Sequence, residues 1–317
     1  MERILFITRV DRAYLVKKLQ EYILKNCIKS EIVVMSDDIW STCRMSVNHY
    51  IYISPDTSLE NKIKDTVIQY NVKGIFVASN YDLEHIILIA DWLKKNGVCF
   101  YAPDENTLSI CLDKKKQKML LDSYNILTPK SYNFEKIFLE NSTKIFPLII
   151  KPCNGQGTKN VFEIHNIEEL KYFYKRRNDF IVETKLDGKE YTVDCFNNYN
   201  GELILSIPRE RFIIKGAHTI VAQICMNRTL VDIGLELSKI LKITGPWNFQ
   251  VFEENENFIV HDINPRVASG IGFSIVAGAP FEKLIVDYLL RRENNDSRNI
   301  YELVEDKKMI FQYSSYE

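Results

Sequence analysis

The sequence predicts a small α/β domain followed by a larger α+β region of antiparallel sheets. In the first third of the chain, short apolar runs alternate with segments of helical periodicity, which is typical of parallel βαβ units. From about residue 112 onward, strand-like segments instead come in adjacent pairs with short turns, which indicates antiparallel pairing. The sequence therefore divides at about residue 112.

The composition is that of a globular protein with a substantial core: 46% of the 317 residues are hydrophobic and 26% are charged. Lys and Arg total 41 against 42 Asp and Glu, so the basic surplus typical of nucleic-acid binding is absent and we expect no such partner. The apolar runs are far shorter than the ~20 residues of a membrane span, so we also expect no membrane partner. Seven scattered cysteines and an N-terminus without a secretion signal predict reduced thiols and a cytoplasmic protein.

The α/β domain is predicted from its first strand onward. Strands are expected at 4–8, 31–35, 74–78 and 98–101, and helices at 12–26, 59–71 and 82–96. The first strand is followed by Thr8-Arg9-Val10-Asp11-Arg12 and not by GxGxxG, so the usual dinucleotide site is not predicted. Ser79, Asn80 and Asp82 follow the third strand, at the edge where such sheets bind ligands. Helix capping by Ser79 or Asn80 is the alternative interpretation.

The α+β region begins with a helix at 113–125, which has a basic start and is closed by Thr128-Pro129. Beyond this helix the sequence predicts three strand pairs, formed by 148–151 with 160–164, 191–197 with 202–208, and 247–252 with 258–263. A further helix is expected to run towards Ala277, after a segment rich in small residues.

The most informative segment is the last strand pair, which carries a possible metal site. Asp262 and Asn264 are two residues apart on a strand and so share one face. If the loop lies at 255–257, Gln250 lies directly opposite Asp262. Three oxygen-bearing side chains on one patch suit a hard cation such as Mg²⁺, and Arg266 could hold an anionic reacting group. The alternative interpretation is the polar outer face of an ordinary hairpin.

A second segment could bind phosphates. An apolar strand ends at Lys151, and a loop containing Gly155 and Gly157 follows. Glycines allow backbone N–H groups to approach phosphate oxygens closely. The loop lacks the Gly-Lys-Ser/Thr sequence of a Walker loop, and an ordinary hairpin turn with a lysine at its edge is the alternative.

Two further segments have polar residues in informative positions. A strand ends at Glu183 and another resumes at Glu190 after a short linker, which could present backbone groups and carboxylates to a nucleotide. Before the metal hairpin, Arg209, Arg211 and Lys215 could form a positive wall for a substrate carboxylate or a γ-phosphate. The alternatives are exposed carboxylates beside a turn and a solvated basic loop.

The order of these motifs resembles that of the ATP-grasp superfamily of carboxylate–amine ligases, in particular its carbamoyl-phosphate-synthase-like and amino-acid-ligase-like members. The resemblance runs from about the strand at residue 74 to the last strand near 309. It implies an ATP-grasp fold preceded by a Rossmann-like parallel α/β domain at 1–111. The range 112–186 would be the small lobe with the phosphate loop, and 187–317 the large lobe with the metal and substrate sites.

The resemblance also implies ATP and Mg²⁺ or Mn²⁺ as cofactors and assigns roles to residues. Those implied to bind ATP are Lys114, Lys151, Gly155, Gly157, Thr158, Glu183, Thr184, Lys185, Leu186 and Glu190. The implied metal ligands are Gln250, Asp262 and Asn264. The residues implied to contact the reacting groups are Arg266, Arg209, Arg211 and Lys215. Two departures from the family pattern are Asp262 where Glu is usual and Asn160 where glycine often closes the phosphate loop.

The implied reaction is ADP-forming ligation. ATP phosphorylates a small carboxylate to an acyl phosphate, and an amine then attacks it to form an amide. Carboxy-phosphate chemistry of the carbamoyl-phosphate-synthase kind is one alternative, and ATP binding without turnover is another. The expected partners are a small carboxylate and an amine, and assembly as a homodimer is left open.

Overall fold

The computed structural model describes residues 1–140, 144–155, 160–175, 179–216, 218–292, 304 and 306–310. Within these residues the chain forms one parallel and two antiparallel sheets, of five, four and six strands. One sheet lies in each of the three ranges inferred from the sequence, although the domain boundaries themselves stay a prediction. None of the described helices combines the length and apolar character needed to cross a bilayer.

The N-terminal sheet is parallel, with the strand order β3-β2-β1-β4-β5. Its strands are β1 (Glu2–Ile7), β2 (Ser30–Ser36), β3 (His49–Tyr52), β4 (Val72–Val77) and β5 (Cys99–Phe100). The accompanying helices are α1 (Ala13–Lys25), α2 (Leu59–Tyr70), α3 (Asn80–Leu88), α4 (Ala90–Lys95) and α5 (Glu105–Leu112), with a 3-10 helix at Thr42–Ser46. Apolar clusters cover both faces of the sheet, as parallel βαβ units require.

Two elements of this domain differ from the sequence-based expectation. Strand β3 was not predicted; it lies at the sheet edge, and its residues are half-buried or exposed. The single helix expected at 82–96 is instead two helices, α3 and α4, which meet at Ile89.

The four-stranded antiparallel sheet has the order β6-β9-β7-β8 and its own apolar cluster. Its strands are β6 (Ser131–Tyr132), β7 (Leu148–Pro152), β8 (Phe162–Ile164) and β9 (Phe180–Thr184), with helices α7 (Phe134–Glu140) and α8 (Ile167–Tyr174). Helix α6 (Lys114–Ser123) precedes it. The start of α6 is tied to the end of β7 by a β-bridge between Asp113 and Asn154, and by a hydrogen bond from Lys114 N to Cys153 O of 2.9 Å.

The six-stranded sheet has the order β14-β13-β10-β11-β12-β15. Its strands are β10 (Lys189–Asn197), β11 (Leu203–Lys215), β12 (His218–Ile224), β13 (Gly245–Glu254), β14 (Asn257–Asn264) and β15 (Lys308–Ile310). Three helices complete this part: α9 (Arg228–Leu241), α10 (Ile271–Val276) and α11 (Phe281–Leu289). All three strand pairs expected from the sequence are confirmed.

One apolar core joins the N-terminal sheet to the C-terminal helices. Two glycines allow the close approach. A Cβ at Gly74 on β4 would lie 2.7 Å from Leu289 Cβ on α11, and a Cβ at Gly272 on α10 would lie 2.9 Å from the ring of Tyr14 on α1. This packing fixes the carboxyl edge of the parallel sheet against the segment that follows β14.

We expect Gly74→Ala to lower the free energy of unfolding by about 1–3 kcal/mol, because the added methyl group overlaps Leu289 in a well-packed core. Urea denaturation measures the change. Gly155→Ala is the matched control for stability, since its new Cβ would have its nearest neighbour at 3.5 Å, an ordinary contact. Equal stability of the two variants would contradict the close packing of α11 on β4.

Candidate active site

The hairpin of β13 and β14 has the register that the sequence predicts at its polar end. Gln250 is the direct partner of Asp262, and Asn248 is the partner of Asn264. The turn is tighter than expected, because only Asn255 and Glu256 separate the strands. Both have positive φ, 50° and 64°, as a two-residue turn of the I′ type requires.

A β-bulge at His261 determines which way the polar residues point. Val251 pairs with Val260 while Gln250 pairs with Asp262, so His261 is an extra residue in β14. Val260 and Ile263 both enter the same apolar cluster, which strict alternation would not allow. The bulge therefore turns Asp262 away from the core and towards a cavity that it lines.

Asp262 forms an ion pair with Lys114 at the start of α6, and Lys114 Nζ lies 2.5 Å from Asp262 Oδ1. Burial by itself would raise the pKa of Asp262, but the charge and hydrogen bond of Lys114 outweigh it and hold the pKa at about 2. Asn264 Nδ2 donates to the other carboxylate oxygen at 2.8 Å. The carboxylate is thus fully ionised at neutral pH.

A second ion pair lies in the four-stranded sheet, where Lys151 Nζ is 2.6 Å from Glu183 Oε2. Both side chains are almost fully buried. Burial, together with the positive charges of Lys151 and Lys114, lowers the pKa of His261 to about 3, so the imidazole is neutral. The effect of both lysines on one ring indicates that the two ion pairs lie around the same bulge.

The arginines predicted to contact the substrate have different surroundings. Arg209 is buried, and its Nε donates to Asp194 Oδ2 at 2.9 Å, while its Nη1 is buried without a hydrogen-bond partner. Arg211 donates to Glu190, the predicted ribose ligand, and this ion pair opposes the rise in the pKa of Glu190 that burial causes. Arg266 Nη2 donates to Asn264 Oδ1 at 3.3 Å.

The structure does not bring Lys215 to this cluster. It is exposed at the end of β11, six residues beyond Arg209, which corresponds to about 20 Å along a strand. That Lys215 contacts the reacting groups stays a prediction, and β11 extends into a long hairpin whose length the sequence pattern did not reveal.

The linker and loop residues predicted to bind ATP lie at the margins of the described site. Lys185 Nζ forms ion pairs with Glu163 and Asp187, each at 3.0 Å, which leaves only its backbone for the predicted contact. Thr184 N donates to Lys130 O at 2.9 Å, and Leu186 follows in the linker to β10. Gly155 lines the cavity beside Asp262, whereas Gly157 and Thr158 lie outside the described residues.

The predicted metal ligands fit a divalent cation in part. Asp262 supplies one carboxylate, and the ammonium of Lys114 beside it shows that this position attracts a cation. Asn264 Oδ1 already accepts hydrogen bonds from Asn80 and Arg266, each at 3.3 Å. No group of three or more His, Cys, Asp or Glu side chains in the described part of the chain could hold a metal by itself. A metal here would need oxygen atoms from phosphates to complete its coordination.

The N-terminal sheet contributes Asn80, for which the sequence left ligand contact or helix capping open, and Arg12, which the sequence did not assign to the site. Ser79 caps α3 by accepting from Tyr81 N, but Asn80 instead reaches Asn264. Arg12, after β1, is buried with Nε unpaired, and burial together with the nearby charge of Arg266 lowers its pKa to about 10. Both residues follow the carboxyl ends of strands, and that position was the signal available in the sequence.

Comparison with known proteins supplies the context for this geometry. Residues 176–309 match a family described as ATP-grasp in the biosynthetic pathway with Ter operon. Over 289 residues the chain is 25% identical to the carbamoyl phosphate synthase large chain of Thermoanaerobacter sp. (strain X514), covering 84% of this chain and 26% of that one. The chain spans about a quarter of the length of the curated relatives it matches.

Two solved structures share the fold over nearly the whole chain. The biotin carboxylase domain of Hydrogenobacter thermophilus 2-oxoglutarate carboxylase, in complex with MgADP, ADP and bicarbonate, superposes with a TM-score of 0.75 at 14% identity, covering 96% of this chain and 72% of that one. The L-amino acid ligase from Bacillus licheniformis has a TM-score of 0.68 at 16% identity, covering 92% and 74%.

A parallel α/β domain followed by two antiparallel sheets is the arrangement that this chain shares with these solved structures. The fold is that of ATP-grasp proteins, and residues 176–309 match one ATP-grasp family. The predicted fold class, an ATP-grasp fold preceded by a Rossmann-like domain, is confirmed.

Replacing Lys114 with Met tests the ion pair with Asp262. The pKa of Asp262 is depressed, so ionisation stabilises the fold above the unfolded pKa of about 3.9 and this contribution is lost as the pH falls through about 2. We expect Lys114→Met to cost about 1–3 kcal/mol at pH 7, with the difference from the wild type disappearing towards pH 2. Urea denaturation at several pH values measures it, and Lys116→Met is the control, since among the described residues Lys116 Nζ donates to the uncharged hydroxyl of Ser109 and pairs with no carboxylate. A pH-independent difference would contradict the pairing.

Proposed function

We propose that the chain is an ADP-forming ligase that phosphorylates a small carboxylate with ATP and transfers the acyl group to an amine in the cytoplasm. The observation that carries the proposal is the ionised carboxylate of Asp262 with Lys114 in contact and Arg266 close enough to be affected by its charge. Phosphoryl transfer depends on such fixed charges more than on covalent catalysis by the protein. The ATP-grasp fold adds a nucleotide-dependent framework.

The two lysines would bind the ATP phosphates. In the structure described here each lysine is paired with a carboxylate, Lys114 with Asp262 and Lys151 with Glu183. A lysine that exchanges its carboxylate for a phosphate keeps its charge compensated, so ATP binding need not expose a buried cation. Glu183 would then be free to accept from the adenine amino group, and Glu190 from the ribose, as the family resemblance implies.

Asp262, assisted by Asn264 and Gln250, would hold Mg²⁺ or Mn²⁺ through oxygen atoms. Such an ion, when bound, neutralises phosphate charge and orients the phosphates for in-line transfer. The shorter Asp in place of Glu is offset here by the bulge at His261, which carries Asp262 out of the strand plane towards the cavity. This geometry favours a site that binds a metal ion over one that has lost metal binding.

The proposed reaction proceeds in two steps. A carboxylate oxygen attacks the γ-phosphorus, ADP leaves, and Arg266 stabilises the negative charge on the transferred phosphoryl group. The amine nitrogen then attacks the acyl carbon, and phosphate leaves as the amide forms. Arg209 is a positioning residue, since Asp194 holds its guanidinium, and Ser274 Oγ donates to the same carboxylate oxygen at 2.7 Å.

Carboxy-phosphate chemistry is the second candidate, because the curated relatives that match 84% of the chain are carbamoyl phosphate synthase large chains. In that reaction bicarbonate would replace the organic carboxylate as the acceptor of the phosphoryl group. The biotin carboxylase domain of 2-oxoglutarate carboxylase is described as a dimer, and we propose that this chain also forms a homodimer.

Trapping of the acyl phosphate tests the proposal. Purified protein is incubated with Mg-ATP, a pool of small organic carboxylates and hydroxylamine, which converts acyl phosphates to hydroxamates. We expect hydroxamate and ADP in equal amounts, and neither product when the pool of carboxylates is left out. ADP release with bicarbonate alone would support the second candidate, and no ADP under either condition would reject both.

The metal-site prediction is tested by Asp262→Asn, which keeps a side chain of the same size but removes the charge. We expect hydroxamate formation to fall by roughly 100-fold or more, equivalent to ~2.7 kcal/mol of transition-state stabilisation, with the fold retained. Circular dichroism and steady-state rates provide the measurements. Asp232→Asn, in an exposed ion pair on α9, is the matched control. Full activity of Asp262→Asn would rule out the metal site.

A further inference from the structure

A cavity of about 560 Å³ lies between the N-terminal domain and the candidate active site. Asp262 and Asn264 line one end of it, and Asn154 and Gly155 line the side towards the predicted phosphate loop. The predicted nucleotide ligands Lys151, Glu183 and Glu190 are not among its lining residues. The cavity therefore adjoins the predicted metal ligands and Gly155, and it lies apart from Lys151, Glu183 and Glu190.

Two helix faces form the walls. On α3, Asn80, Glu84 and Ile87 line the cavity, at the spacing of one helix face. On α5, Glu105, Leu108 and Leu112 do the same. Each wall therefore carries one carboxylate and an apolar surface beyond it.

The charge of the cavity is negative. Glu84 and Glu105 form no ion pair with any described residue. The one lysine of the lining, Lys116, donates to Ser109 Oγ at 2.5 Å, and Asp113 accepts from the first N–H groups of α6. The two glutamates are thus available for a cation.

A buried, unsatisfied acceptor points to a ligand at the deep end. Asn80 is 2% exposed, and its Nδ2 donates to Asn264 Oδ1 at 3.3 Å. The remaining oxygen, Asn80 Oδ1, is buried without a hydrogen-bond partner. An unsatisfied buried acceptor costs about 1–3 kcal/mol, so a donor supplied by a ligand would compensate it.

We propose that this cavity binds the amine substrate, and that the amine is a cationic molecule with an apolar group. The proposal rests on the proposed ligase function. Asn80 Oδ1 accepts from the reacting nitrogen, Glu84 and Glu105 attract its protonated form, and the leucine and isoleucine side chains contact the apolar part. The carboxylate substrate binds on the other side of Asn264, near Arg266 and Arg12, where the site is positive.

The amine step balances as follows. The ammonium first loses one proton to water by way of Glu84, which leaves a neutral nitrogen at Asn80. The C–N bond forms as the C–O bond to phosphate breaks, and the second proton goes to the departing phosphate. The products are an amide and inorganic phosphate, and no oxidant or further cofactor is consumed.

The experiment compares two amines as substrates, once the trapping assay has shown that the protein forms hydroxamate. L-Leucinamide is cationic and apolar, and L-glutamate carries a net negative charge. We expect amide formation with leucinamide and at least 10-fold lower kcat/KM with glutamate. In the double variant Glu84→Gln, Glu105→Gln, the KM for leucinamide should rise about 10-fold, and the ratio of amide to hydroxamate should fall, because hydroxylamine is uncharged and needs no carboxylate.

Glu236→Gln, an exposed carboxylate on α9, is the control and should leave both products unchanged. A preference for glutamate, or an unchanged KM in the double variant, would overturn the amine pocket while leaving the ligase function intact. If the wild type forms no hydroxamate, the proposed function fails, and calorimetric titration of leucinamide still decides the pocket. Leucinamide binding that is about 10-fold weaker in the double variant than in the wild type supports the amine pocket. Absence of leucinamide binding to the wild type refutes the pocket.

Discussion

Strand β14 has to bury Val260 and Ile263 on one side and present Asp262 and Asn264 on the other, and regular alternation cannot do both. The bulge at His261 resolves this conflict by inserting one residue between the two halves of the strand. Without it, Asp262 would face an apolar cluster, where an unpaired carboxylate is very costly. The contacts of Asp262 with Lys114 and of Asn264 with Asn80 depend on this one local irregularity.

Charge compensation is the second organising feature. Lys114, Lys151 and Arg211 each neutralise a carboxylate that the family resemblance assigns to metal or nucleotide binding. Low-dielectric surroundings make unpaired charges unfavourable, so these pairings stabilise the buried charged groups of the site. On binding a nucleotide and its cation, the lysines would pair with phosphates and the carboxylates with the cation or the nucleotide. The number of buried unpaired charges would then change little.

Much of this arrangement can be derived from the sequence, and the rest depends on contacts across long separations. The pairing of Gln250 with Asp262 was predicted from a three-residue loop, whereas the turn has two residues and the bulge at His261 restores that pairing. The adjacent polar residues His261 and Asp262, between apolar Val260 and Ile263, also carried a signal for the bulge. The contact of Asn80 with Asn264 spans 184 residues and has no local signature. Lys215 lies away from the cluster because β11 continues past its pairing with β10, and residue type does not reveal that length.

The β-bridge between Asp113 and Asn154 has a mechanical consequence. It joins the first residue before α6, whose lysine contacts Asp262, to the residue just before Gly155, so two segments about forty positions apart in the chain form one rigid junction. Any tilt of the four-stranded sheet would therefore be transmitted directly to Lys114. Lys114 and Gly155, two predicted nucleotide ligands beside this bridge, would then shift in concert.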